Sequence, residues 1–84
     1  MIACQVAIYP LAATDFDEVI LEAIRSIEEY KQDGLSIEVG SMSTILRGPD
    51  DLVWKAVRQL FDMSGKNNQI VLNVQMSNEC GCDV

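Results

Sequence analysis

An α+β sandwich, built as βαββαβ with a four-stranded antiparallel sheet and both helices on one face, is the fold this sequence predicts. Three observations carry it. Segments alternating apolar and polar residues open the chain, close it and occupy its middle. Two amphipathic segments of helical period lie between them, and Gly, Pro or acidic residues mark the element boundaries. With right-handed crossovers, that order folds most simply as a ferredoxin-like sandwich with strand order 4-1-3-2.

The opening strand is "IACQVAIY" (2–9), with Ile2, Cys4, Val6 and Ile8 on one face and Ala3, Gln5, Ala7 and Tyr9 on the other. Pro10, which has no N–H, is expected to stop it. In "TDFDEVILEAIRSIEEYKQDG", Thr14 is the expected N-cap, and Asp15, Asp17 and Glu18 suit the positive end of a helix. Phe16, Val19, Ile20, Ala23, Ile24, Ile27 and Tyr30 recur at helical spacing, which predicts one helix running to a C-cap at Gly34.

The segment 35–41 alternates again, with Leu35, Ile37 and Val39 expected inward, and 43–48 supplies its hairpin partner. Pro49, Asp50 and Asp51 mark the second helix start. Val53, Ala56, Val57 and Leu60 form its buried stripe, flanked by Trp54 and Phe61, and Gly65 ends it. The last strand, "QIVLNVQM" (69–76), opposes Ile70, Leu72, Val74 and Met76 to Val71, Asn73 and Gln75. These elements make one domain over residues 1–78, followed by a flexible cysteine-containing tail, 79–84.

Composition narrows the functional classes. At 84 residues the chain is near the lower size limit for a single core, so self-association is expected to add burial. Six Lys plus Arg against thirteen Asp plus Glu give a net charge of −7, which argues against nucleic acid and anionic membrane as partners. No apolar run approaches the roughly 20 residues of a membrane span. The N-terminus lacks the basic stretch of a signal peptide, and three cysteines, an odd number, suit a reducing compartment, so the expectation is a cytoplasmic protein.

The sequence has no histidine, which removes the usual general base near neutral pH and the commonest metal ligand. The acidic pairs Asp50–Asp51 and Glu28–Glu29 fall where helix capping or solvation explains them. No phosphate loop is present. The reading is therefore a non-enzyme without a cofactor. Cys80 and Cys82 could clamp a soft metal or form a redox pair, but structural zinc wants four ligands, and Cys4 reads as a small core residue.

The predicted topology puts Gln5, Asn73 and Gln75 on neighbouring strands of the helix-free sheet face. Side-chain amides offer a donor beside an acceptor, which matches the amine-and-ring-nitrogen edge of an aminopyrimidine. The same amides also suit a half-exposed sheet or a polar subunit interface, and both readings stay open on pattern alone. "MSTILRG" (42–48) adds Ser43 and Thr44 as candidates to line a small pocket. Alternate residues of a strand face opposite ways, so both cannot enter one pocket without a bulge.

Taken together, these segments carry a resemblance. "IACQVAIYPLA" resembles the opening strand of the small thiamine-binding (YkoF-like) proteins, an apolar strand ending in Tyr-Pro-Leu before a helix. "MSTILRG" is similar to that family's Met-Gly-Thr-x-(Ile/Val)-Glu-Gly strand, aligned without a gap. The resemblance covers about residues 2–76 and implies a ferredoxin-like subunit that assembles into dimers or tetramers. It also implies non-catalytic binding of thiamine or its hydroxymethylpyrimidine part, as carrier or sensor.

Carried over by position, Met42, Thr44, Gly48, Tyr9 and Pro10 match the motifs. Ser43 replaces the motif glycine and Arg47 its acidic residue, which removes a negative charge that would favour a thiazolium cation. The ligand-binding set is then Gln5, Tyr9, Met42, Ser43, Thr44, Asn73 and Gln75. The competing functions are an oligomeric interaction module using the same open face and, more remotely, a thiol-based metal or redox role of the tail.

Overall fold

Residues 1–11 and 15–79 are described by the computed structural model. Six regular elements follow one another: β1 (Ile2–Leu11), α1 (Phe16–Arg25), β2 (Ser36–Val39), β3 (Thr44–Gly48), α2 (Asp50–Ser64) and β4 (Gln69–Ser77), with a 3-10 turn at Glu28–Asp33 after α1. The strands form one antiparallel sheet in the order β2-β3-β1-β4, which is 4-1-3-2 read from the other edge. The ferredoxin-like expectation holds.

The core lies between the sheet and the helices because the two-residue period of the strands sends one set of side chains that way. Cys4 pairs with Leu46 on one side and Met76 on the other, and Val6 with Thr44 and Val74. Ile2, Cys4, Val6 and Leu46 are buried there against Ala23, Ile24, Val53, Ala56 and Leu60 of the helices. Each large aliphatic so buried contributes about 1.5–3 kcal/mol relative to exposure.

Four local expectations are corrected. β1 does not stop at Pro10 but runs to Leu11, with Pro10 opposite Ile70. Pairing of β1 with β3 ends at Val6, so beyond it β1 has a partner on one side only and a missing N–H breaks no ladder on the free side. The single helix expected to reach Gly34 ends at Arg25 and tightens into the 3-10 turn. Ser26 N–H is shared between the Glu22 and Ala23 carbonyls, its hydroxyl donates to Ala23 O at 2.5 Å, and Ile27 N–H reaches Ile24 O.

The bonds to the Ala23 and Ile24 carbonyls span three residues, and in that geometry positions three apart stack on one side. Ile24, Ile27 and Tyr30 have that spacing, and all three are buried. Third, β2 and β3 are shorter than 35–41 and 43–48, and Val39 at the hairpin mouth is 59% exposed rather than inward. Fourth, Phe16 is 50% exposed, outside the stripe assigned to it. The cap expected at Thr14 lies outside the described residues.

Gly34 does terminate the preceding turn, at φ 110°, a left-handed conformation that glycine adopts without steric cost. Its neighbour in space is Gly48, whose absent side chain makes room: a Cβ there would sit 3.1 Å from the Gly34 carbonyl oxygen.

Candidate functional site

The sheet face away from the helices is a grid read directly from the strand register. One row runs Ser36, Arg47, Ala3 and Ser77; the next runs Glu38, Ile45, Gln5 and Gln75. Ala7 then pairs with Asn73, and Tyr9 with Val71. The alternation that buries Cys4 and Val6 leaves Gln5, Tyr9, Asn73 and Gln75 exposed on this side. No helix covers them.

A depression of about 370 Å³ on this face is lined by Gln5, Ala7, Tyr9, Met42, Ser43, Asn73 and Gln75. β1 and β4 supply the amides, and Ala7 between them has only a methyl group, which leaves the floor open. The β2–β3 hairpin supplies the rim. Its loop closes through a Gly40 N–H to Ser43 O bond of 2.8 Å, which sets Met42 at the tip, 88% exposed. Among the described residues, none of the three amides has a side-chain hydrogen-bond partner. Their donors and acceptors stay available to a ligand.

Six of the seven residues assigned to binding meet at this depression, and Thr44 does not. Thr44 follows Ser43 by one residue and so faces the core, where it is 8% exposed. It lines a separate cavity of about 110 Å³ on the helix side, with Val6, Ile20, Ile24 and Leu60. Its place in the ligand set is corrected for that reason. Ser43 borders both cavities, as a residue at the strand end can.

Sequence reasoning put Ala7 on this face beside Gln5, as a small residue that leaves room above the sheet, and the structure places it in the floor of the depression. Sequence reasoning left out a second depression of about 300 Å³ that continues along the same face and shares Gln5 and Gln75 with the first.

Cys4 lies beneath this face, on the core side. Burial pushes its thiol up to about 11, so it stays protonated and unreactive near neutral pH. Among the described residues no cluster of three or more Cys, Asp or Glu side chains could hold a metal, and Cys80 and Cys82 lie outside those residues. No helix of the structure is long and apolar enough to cross a membrane.

The chain is a ferredoxin-like α+β domain with an uncovered sheet face on which amide side chains border a depression. The chain belongs to the YKOF-related family, whose sequence profile matches residues 1–83. Solved structures share the fold, among them the following three. A hypothetical protein from Methanocaldococcus jannascii superposes with a TM-score of 0.80 at 21% identity, over 95% of this chain and 81% of that one. A domain of unknown function from Bacillus cereus gives 0.76 at 22% identity, over 95% and 77%.

A Thermotoga maritima protein, described as a candidate thiamine biosynthesis or salvage protein, gives 0.74 at 22% identity over 90% of this chain and 81% of that one. At these identities the likeness speaks to fold alone. Among curated proteins no sequence match is significant.

Proposed function

We propose that this protein binds thiamine or a hydroxymethylpyrimidine-type metabolite without transforming it, as a carrier or sensor. The observation that carries this reading is the convergence of Gln5, Asn73 and Gln75, unpaired among the described residues, on one open depression. A carboxamide presents N–H and C=O side by side, and an aminopyrimidine presents the complementary acceptor and donor on one edge. Tyr9 at the margin offers a ring face for stacking. Family membership and the thiamine-related description of the Thermotoga protein support the same ligand class.

The reading is non-catalytic because the chain has no histidine to move a proton near pH 7, and because the thiol beneath the site is buried and held protonated. Isothermal titration with thiamine and with hydroxymethylpyrimidine is the test. Saturable heat at micromolar affinity from either supports the binder, and silence from both contradicts it.

A second reading, a protein-interaction module, is favoured by Tyr9 and Val71. They pair across β1 and β4 and are 52% and 49% exposed on the uncovered face. A homo-oligomer, dimer or tetramer, joins the two readings if a second subunit covers that apolar end and leaves the amides to the ligand.

A further inference from the structure

β4 is an edge strand without the devices that keep sheet edges apart. Its nine residues, Gln69–Ser77, include no charge, proline or glycine. It pairs with β1 from Gln69 opposite Leu11 to Ser77 opposite Ala3 with no bulge. Its other edge pairs with no strand among the described residues. A long, uncharged edge presents a row of unpaired N–H and C=O groups, a template for another strand. The opposite edge of the sheet is protected, since β2 has only four residues and one of them is Glu38.

The core side of β4 is unfinished as well. Ile70, Leu72, Val74 and Met76 are only partly buried, whereas Ile2, Cys4 and Val6 of neighbouring β1 are buried. Between this edge and α2 lies a groove of about 490 Å³, lined by Ile2, Asp50, Trp54, Met76, Ser77 and Asn78.

We infer that β4 pairs antiparallel with β4 of a second copy, about a two-fold axis at Asn73, and that the amide site is shared across this seam. A strand meeting itself keeps core face beside core face only if the axis passes through a residue. An axis at Asn73 uses all nine residues. Ile70 then lies opposite the partner's Met76 and Leu72 opposite the partner's Val74, apolar against apolar, and Gln69 meets the partner's Ser77. The partner's Ile70 comes beside the groove that exposes Trp54.

Charge favours a second copy at this edge over the rest of the surface. The chain has a net charge of −7, and faces such as that of α1, with Asp17, Glu18 and Glu22, repel their copies. β4 meets itself with no like charges opposed. A nine-residue strand is about 30 Å long. With the molecule's smallest extent of 17 Å, the seam covers about 500 Å² per partner, roughly 1,000 Å² in all, where specific interfaces begin.

On the open face the same register sets Asn73 against the partner's Asn73, and Gln75 against the partner's Val71. Directly opposed Cβ atoms lie roughly 4.5–5.5 Å apart. The depression that holds Gln5, Asn73 and Gln75 thereby acquires a fourth amide, the partner's Asn73. The shared site rests on the pyrimidine reading; the seam does not.

Two double variants test both parts. Gln69→Lys with Ser77→Lys opposes like charges at both ends of the seam, and Gln69→Lys with Ser77→Glu opposes unlike ones. Both positions are exposed and neither belongs to the ligand set, so melting curves should show both variants folded. In sedimentation equilibrium the wild type should have an even multiple of 9.3 kDa. The Lys/Lys variant should dissociate at about tenfold higher concentration, and the Lys/Glu variant should assemble at least as tightly as wild type. Titrated where Lys/Lys has come apart, hydroxymethylpyrimidine should bind it about tenfold more weakly than it binds Lys/Glu.

A monomeric wild type, or equal assembly of the two variants, overturns the inference and leaves the pyrimidine reading standing. Equal hydroxymethylpyrimidine affinity of dissociated Lys/Lys and assembled Lys/Glu overturns the shared site. Silence from the wild type removes the pyrimidine reading and the shared site with it, and the masses alone then decide the seam.

Discussion

Gln5 sits mid-sheet with Gln75 across one strand boundary and Ile45 across the other, and Ala3 and Ala7 flank it on its own face. Gln5→Leu keeps nearly the same volume and deletes both hydrogen-bonding groups, so the fold should survive. The ligand's polar edge is left unpaired, at a cost of about 1–3 kcal/mol, which lowers pyrimidine affinity roughly tenfold to more than a hundredfold. Calorimetry measures that loss. Sedimentation of the same variant reports a shift in assembly instead if Gln5 is an interface residue.

One residue away, Cys4 gives a pH signature. Burial pushes its thiol up to about 11 in the folded chain from an ordinary value of 9.0, so between those pH values the unfolded state has lost a proton the folded state keeps. Stability therefore falls as pH rises from 9 to 11, by on the order of 2 kcal/mol from this group. Urea midpoints of wild type and Cys4→Ala across that range isolate it, because the variant should lack this part of the slope. At this scale much of the site was legible in the sequence. Period two and the predicted topology together put Gln5, Asn73 and Gln75 on one face, and period two set Ser43 and Thr44 on opposite sides.

Among the elements, α1 and its 3-10 continuation show how a residue pattern can satisfy two periods. Ile20, Ile24 and Ile27 fit a helix, whereas Ile24, Ile27 and Tyr30 fit a three-residue repeat, and side-chain hydrogen bonding by Ser26 tips the segment to the second. Periodicity could not separate them because a spacing of three, Tyr30 included, fits both. Pro10 misled for another reason: a proline ends a strand only where its N–H is needed, and that depends on where β3 stops. The hairpin pairing β2 with β3 also depends on a close approach, since Gly48 abuts the Gly34 backbone. Gly48→Ala drives a Cβ to 3.1 Å from a carbonyl oxygen and 3.5 Å from Leu35 Cα, atoms held by the backbone. It should destabilise the fold by about 1–3 kcal/mol, read as a lower urea midpoint, and a wild-type midpoint would show that the turn yields.

For the molecule as a whole, the helices cover one side of the sheet and leave the other, with Tyr9 and Val71 about half exposed on it. A chain of 84 residues gains most by covering such a face with another copy. Sedimentation equilibrium at micromolar concentration should therefore give a mass that is a multiple of 9.3 kDa, and a monomer would contradict the assembly. The topology was legible because alternation, helical period and turn residues agreed along the chain, whereas the rim of the open face depends on the hairpin loop, whose position only the folded sheet supplies. The central claim is that the amides of this face are the ligand-reading groups. Side-chain NH₂ resonances followed by NMR during titration with hydroxymethylpyrimidine test it most directly. The account predicts saturable shifts for Gln5, Asn73 and Gln75 and none for Gln32, Gln59 or Gln69; binding that leaves those three unmoved would contradict it.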